Sequence, residues 1–387
     1  MAATPPAEAP NAPSATIAAA PLTPDPTTQL VPEQGSPTLE ADVSASEVLH
    51  DSSPLPTTVA PNAGEQLAAE DEYYTDNDSA LGFGDNGSST TSLASSMRQY
   101  RQENGRTYHS FREGVYAIPN DEVEQERLDL QHHLFLLSFK GKLFFAPVKN
   151  QIHNCLDVGT GTGIWAIDFA DEHPESQITG IDLSPIQPSF VPANLKFVVD
   201  DMEDEWVISE KFDLIHVRMM VGSFLNWPQF FTRAYNQLHP GAYIELQDVT
   251  GLGCDDDTFT YKPPSCQFAK WWGLVTEAFT KSGRDMDAAL QHKERLEAAG
   301  FVNVTVIDFK WPINRWPKDE HMKTIGMWSK ENTLDAVEAL AMAPLTRVLK
   351  WTPEEVQLLL QGVREDIRNE GIHAYWNIRV VYGQRPL

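Results

Sequence analysis

No Lys or Arg occurs in the first 96 residues, so this quarter of the chain has no cationic side chain to pair with its fourteen acids. Pro, Ala, Ser and Thr dominate the stretch. A segment of this composition buries too little apolar surface to offset its ordering entropy, and residues 1–96 are expected to be a disordered acidic tail. The remaining residues carry about minus twelve of the formal charge of −26. With no long Lys/Arg cluster there is no basic face to grip a phosphate backbone, which argues against direct nucleic-acid binding. Cysteine is also scarce: Cys155, Cys254 and Cys266 form no CxxC pair and are odd in number, which excludes a zinc motif and a disulfide framework. No apolar run approaches the roughly 20 residues that cross a bilayer. The opening "MAATPPAEAP" lacks the basic segment and apolar core of a signal peptide. A soluble intracellular protein with no membrane partner is expected; the absence of a basic import run leaves nucleus and cytoplasm both open.

Past the tail, residues 97–153, rich in aromatics, charges and histidines, are expected to be an N-terminal helical lid segment, its second half a helix beginning near Asn120 or Asp121 with Leu130, Leu134 and Leu137 at helical spacing. From Asn154 to the end the chain alternates strand and helix signals, the pattern of a parallel sheet covered on both faces. Five strands are expected at "NCLDVGT", "QITGIDL", "LKFVVDD", "FDLIHVR" and "YIELQDV". Two late strands, "FVNVTVIDFK" and "IHAYWNIRVVYG", are separated by a helical insertion over about 311–370. Ile164, Ile167 and Ala170 are read as the buried stripe of the first inter-strand helix. In the insertion, "WTPEEVQLLLQGVREDI" offers Thr352 as N-cap, Pro353 in the first turn and Glu355 to close a capping box. Such an arrangement fits an α/β fold with a seven-stranded sheet, the architecture of class I methyltransferases.

The turn "DVGTGTGI" ends the first strand. A dinucleotide fingerprint would need a glycine where Ile164 stands, and a P-loop would need Gly-Lys-Ser/Thr, which is missing. Asp157, Gly159, Thr160, Gly161 and Gly163 stand in the order D-x-G-x-G-x-G, which resembles motif I of S-adenosylmethionine-dependent methyltransferases. Glycines let a ligand approach the backbone, and an acid beside them suits a cation better than a pyrophosphate. Asp157 is expected to orient amides or accept from an ammonium group. Asp182-Leu183 ends the second strand, where a carboxylate can accept from ribose hydroxyls. The third strand ends in Asp200-Asp201-Met202; Asp201 suits an adenine amino group and Met202 its ring, although alternation allows Asp200 or Asp201 to face the ligand. All three tips share the carboxyl edge of the sheet, and S-adenosylmethionine is the ligand that fits them.

"NDEVEQERLDLQHHLFLL", "LDVGTGTGIWAIDFADEHP", "GIDLSPIQPSFVPANLKFVVDDMEDEW", "AYIELQD", "PLTRVLKWTPEEV" and "IHAYWN" closely resemble the LaeA-like methyltransferases of filamentous fungi. The resemblance spans about residues 108–386 and implies a class I (Rossmann-like) methyltransferase domain over 154–387, S-adenosylmethionine as cofactor and a link to secondary metabolism. It also implies either an enzyme acting on a small molecule or protein, or a regulator working through complexes with velvet-type proteins. "HPGAY" departs from the family's usual basic residue before Pro-Gly and second glycine after it.

A hydroxyl acceptor would need a base. Tyr108, His109, Tyr116, His132, His133 and His216 are the candidates, and His132 is the one selected, against the plainer reading of packed histidines. Arg218 is equally readable as a structural ion pair. No Asn/Asp-Pro-Pro-Tyr/Phe follows the fourth strand, as exocyclic methylation of DNA bases would lead one to expect, and Glu245 stands alone where protein arginine methylation would want two acids. Trp311, Trp316, Trp328 and Trp351 would either shape an apolar acceptor pocket or form ordinary core.

Overall fold

The computed structural model describes residues 100–109, 117–149 and 151–387; the tail expected over 1–96 and Tyr116 lie outside the described residues. A hairpin comes first, β1 (Arg101–Glu103) and β2 (Arg106–Tyr108), turning at Asn104-Gly105 with both residues at positive φ, the geometry an Asn-Gly hairpin turn requires. Helix α1 (Glu122–Phe139) follows, its start fixed by Asp121, whose side chain accepts from the Glu124 amide. Its inner face holds Leu134, Phe135 and Phe139 but also Glu124, Gln131 and His132, so the leucine spacing found only part of the face; Leu130 and Leu137 are half-buried.

The chain then builds β3 (Asn154–Val158), α2 (Ile164–Glu172), β4 (Gln177–Asp182), β5 (Leu195–Val199), β6 (Phe212–Arg218), α3 (Trp227–Gln237) and β7 (Leu238–Gly253). Next come α4 (Gln267–Lys281), α5 (His292–Ala298), β8 (Val302–Pro312), α6 (Glu320–Ala339), α7 (Met342–Arg347), α8 (Pro353–Arg368) and β9 (Tyr375–Gln384). The seven expected strands form one sheet in the order β5-β4-β3-β6-β7-β9-β8, with β9 antiparallel to both neighbours. This is the class I methyltransferase order. Alternation along the strands sends Leu156, Val158, Ile215 and Val217 to one apolar cluster and Cys155, Ile178 and Leu214 to another, one on each face.

Two expectations need correction. The buried face of α2 is Trp165, Ala166, Phe169 and Ala170 rather than the Ile164 and Ile167 stripe, because Trp165 and Phe169 stack at 5.0 Å and occupy the sheet side. The insertion starts a little later than 311, since pairing with β9 extends β8 through Trp311 and Pro312. Its three helices are α6, α7 and α8, and the Thr352–Glu355 capping box forms as expected.

Candidate functional site

At the carboxyl edge the tips of β3, β4, β5 and β6 open into a cavity of about 230 Å³. Its floor is the glycine turn, which is tied down on every side: the Gly159 and Thr160 amides donate to the Ile181 carbonyl, the Gly161 amide donates to Asp182 Oδ2 at 2.9 Å, and Gln187 Nε2 donates to the Gly161 carbonyl. Gly161 has a φ of +58°, and a Cβ there would meet only Leu128, so this is where backbone faces open space. Gly163 serves differently. At φ +84° it caps the start of α2, and a Cβ would drive into the Phe197 ring.

Gly159, Gly161, Asp182, Leu183, Asp201 and Met202 all line the cavity, and Asp200 joins them, so alternation does not send it away. Asp182 Oδ1 accepts from the Ser184 amide while Oδ2 holds Gly161. Burial pushes its carboxyl up to about 6, against the pull of those two amides. The other end of the cavity is apolar, walled by Trp272, Phe279, Met286, Trp311, Trp376 and Ile378. The cavity therefore has an acidic lobe beside β4 and β5 and an apolar lobe beneath the insertion.

Asp157, Thr160 and Gly163 are not in the wall. Asp157 shares strand parity with Cys155 and so points into the sheet face under α2, where its Oδ2 accepts from Thr160 Oγ1 at 2.6 Å and its Oδ1 lies 2.7 Å from His216 Nδ1. It braces the turn from behind and does not meet a ligand ammonium. His216 is fully buried, stacked on Trp165 at 3.6 Å, and its protonation is disfavoured by burial.

His132 also has another role than the expected base. Arg218 Nη1 lies 2.9 Å from His132 Nδ1, and a guanidinium can only donate, so Nδ1 is the acceptor and the proton sits on Nε2, 2.8 Å from Asp168 Oδ2. Both ring nitrogens are engaged, the residue is absent from the cavity wall, and burial lowers its pKa. Of the other candidates, Tyr108 is buried under the Arg347 guanidinium, His109 is buried, and His133 is exposed edge-on to Trp328. None of them lines the cavity. Glu245 is fully buried and accepts from the Phe145 and Ala146 amides and from Gln247, with burial pushing its carboxyl up to about 7.

Of Trp311, Trp316, Trp328 and Trp351, only Trp311, which belongs to β8, reaches the cavity. Trp316 stacks on His373 instead, and Trp328 and Trp351 pack against the core. Sequence reading missed Trp272, Phe279 and Trp376 as wall residues. The first two lie on one helix at helical spacing, and no local pattern links them to a strand more than ninety residues away. Met219 and Met220, directly after β6, were within reach of the strand-tip rule but were not singled out.

A family model described as a methyltransferase domain matches residues 130–306. The chain is 43% identical over 303 residues to the methyltransferase pytC of Aspergillus terreus, covering 78% of this chain and 93% of that protein. It is 41% identical over 294 residues to the secondary metabolism regulator LAE1 of Cochliobolus heterostrophus, covering 73% and 94%. To the protein-methionine methyltransferase laeA of Emericella nidulans it is 35% identical over 302 residues, covering 76% and 78%.

Proposed function

Because the chain belongs to the LaeA-like family of fungal S-adenosylmethionine-dependent methyltransferases, we propose that it moves a methyl group from a cofactor in the acidic lobe to an acceptor in the apolar lobe. When bound, S-adenosylmethionine supplies an electrophilic methyl carbon on its sulfonium, and the protein's own task is to hold donor and acceptor in line. The carrying observation is Asp182. Each of its oxygens holds one backbone amide, and the residue lines the cavity, where a carboxylate oxygen has the capacity to accept from a ribose hydroxyl as well. Asp201 and Met202 stand beside it for the adenine, and the bare backbone of Gly161 leaves room for the chain of the ligand. Asp157, Thr160 and Gly163 act on the cofactor only through the shape of the turn.

The described wall contains no His, Tyr, Lys or Cys; of its acids, Asp182, Asp200, Asp201 and Glu203 follow β4 and β5 on the cofactor side, and Glu124 is paired with Arg127. This favours an acceptor that is already nucleophilic, such as a neutral amine, a thioether or an ionised oxygen, on an apolar, planar small molecule that fits the tryptophan-lined lobe. Incubating the purified chain with labelled cofactor and extract of the fungal host should yield a labelled product. Asp182→Ala and Gly161→Arg should abolish it. A wild-type chain that neither binds S-adenosylhomocysteine nor labels anything would overturn the reading.

The relatives named as secondary metabolism regulators favour a second reading, in which the chain acts inside a complex with velvet-type proteins and transfers little itself. Affinity purification from the host separates the two: recovery of such partners with no labelled product supports the regulator, and a labelled product without partners supports the enzyme.

A further inference from the structure

Two guanidiniums line the cavity, and they are treated in opposite ways. Arg127 is neutralised by Glu124, which takes its Nε at 3.0 Å and its Nη2 at 2.6 Å, while Nη1 donates to Asn332. Arg218 has no ion pair among the described residues. Its Nη1 donates to the neutral His132 ring, and its guanidinium lies 4.9 Å from the centre of the Phe135 ring. Neither contact supplies a negative charge. The structural ion pair left open by the sequence is therefore absent among the described residues; Asp157, behind His216, and Asp168, behind His132, attract the guanidinium without touching it.

The rest of its donor set opens on the cavity. Arg218 lines the wall, and none of its nitrogens is among the buried polar atoms that lack a partner. Burial pushes its pKa down to about 10, which still leaves it cationic at neutral pH. Holding a guanidinium against Phe135 without a carboxylate is unfavourable unless a ligand supplies one.

Its position fits that role. Val217 pairs with Val158 in register, so Arg218 stands beside Gly159 at the end of the acidic lobe, and on its other side it pairs with Gln247 of β7. It thus occupies the junction of the two lobes. Of the five acids of the wall, Asp182, Asp200, Asp201 and Glu203 follow β4 and β5, and Glu124 is taken up by Arg127.

We propose that Arg218 is the anion-receiving residue of the cavity, taking a carboxylate or another ionised oxygen at the junction: the carboxylate of the cofactor's aminoacyl end, or an acidic group on the acceptor. The proposal rests on the methyltransferase reading. A planar guanidinium grips such a group through two parallel N–H donors, which a lysine cannot reproduce.

Titration calorimetry on the full chain tests it, with wild type, Arg218→Met and Arg218→Lys. The probes are S-adenosylhomocysteine, which has the carboxylate, and 5′-methylthioadenosine, which lacks the aminoacyl end. In a second arm, 2-naphthoate and neutral 2-naphthamide are titrated into protein saturated with S-adenosylhomocysteine. If the cofactor is the anion, Arg218→Met weakens S-adenosylhomocysteine roughly tenfold or more and leaves methylthioadenosine within about threefold. If the acceptor is the anion, S-adenosylhomocysteine binding holds while 2-naphthoate binding is lost and 2-naphthamide binding is kept. Should Arg218→Met fail to fold, Arg218→Lys carries the same comparison, with a smaller loss confined to the carboxylate-bearing probe. Equal loss for all probes, or no loss for any, overturns the proposal. A wild-type chain that binds neither nucleoside overturns the methyltransferase reading instead, so the two failures are told apart.

Discussion

Phe197 sits in a socket made by two glycines, and Gly163→Ala tests whether that socket sets the position of the cofactor turn. A Cβ on Gly163 would overlap the tip of the Phe197 ring, with Cε1 at 2.9 Å, and one on Gly180 would come within 2.6 Å of Cδ1 of the same ring. The substitution carries two costs. Holding a non-glycine residue at φ +84° costs about 1–2 kcal/mol, and forcing the ring aside costs about 1–3 kcal/mol more. The sum, roughly 2–5 kcal/mol, is a large share of the ~5–15 kcal/mol that holds a domain folded. The two parts separate in a double-mutant cycle with Phe197→Leu, because leucine lacks the ring tip. In that background Gly163→Ala should cost only the backbone part, giving a coupling of about 1–3 kcal/mol by urea unfolding of the four proteins at constant m. Affinity for S-adenosylhomocysteine should fall and recover in parallel, since the Gly163 amide donates to the Thr160 carbonyl and closes the turn. Additive effects, with coupling near zero, would show that the ring does not position the turn.

Other outcomes are expected. Glu245 keeps its proton in the folded chain up to about pH 7, whereas the unfolded chain releases it near 4.5, so folding takes up a proton between these values. Its contribution is therefore greatest below pH 4.5 and is lost as pH climbs through 7. The stability of wild type relative to Glu245→Gln should fall by up to about 3 kcal/mol from pH 4.5 to 8; a flat difference would refute the burial argument. His132→Phe removes the acceptor for Arg218 and the partner of Asp168, and should cost roughly 1–3 kcal/mol in thermal unfolding while leaving the midpoint of any pH–rate profile in place. Loss of the rising limb at unchanged stability would restore His132 as the base. Thr352→Ala should cost about 1 kcal/mol through loss of the capping box, with no change in S-adenosylhomocysteine affinity, both readable from melting curves with and without that ligand.

The sequence by itself determined the seven strands, the helical insertion with its capping box, and the choice of ligand at the strand tips. These features are local: strand alternation, turn residues and capping act over a few positions, so they can be read along the chain. Gly161, Asp182, Asp201 and Met202, which line the cavity, were legible because each lies at or just past the end of a strand whose carboxyl edge faces the ligand in folds of this kind. Asp157 was legible only in part. Its distance from the glycines left open whether it orients the turn or meets the ligand, and strand parity turned it to the opposite side, where it holds Thr160 and His216 and braces the turn.

Only the tertiary structure decided the rest. Whether His132 is a base or a neutral bridge depends on Arg218 and Asp168, from β6 and α2, which close on its two nitrogens. The apolar lobe draws Trp272 from α4, Trp311 from β8 and Trp376 from β9, residues that share no period and meet only because the sheet order sets β9 between β7 and β8. A side chain's availability is fixed by every group that surrounds it, and those groups arrive from parts of the chain that no local pattern connects.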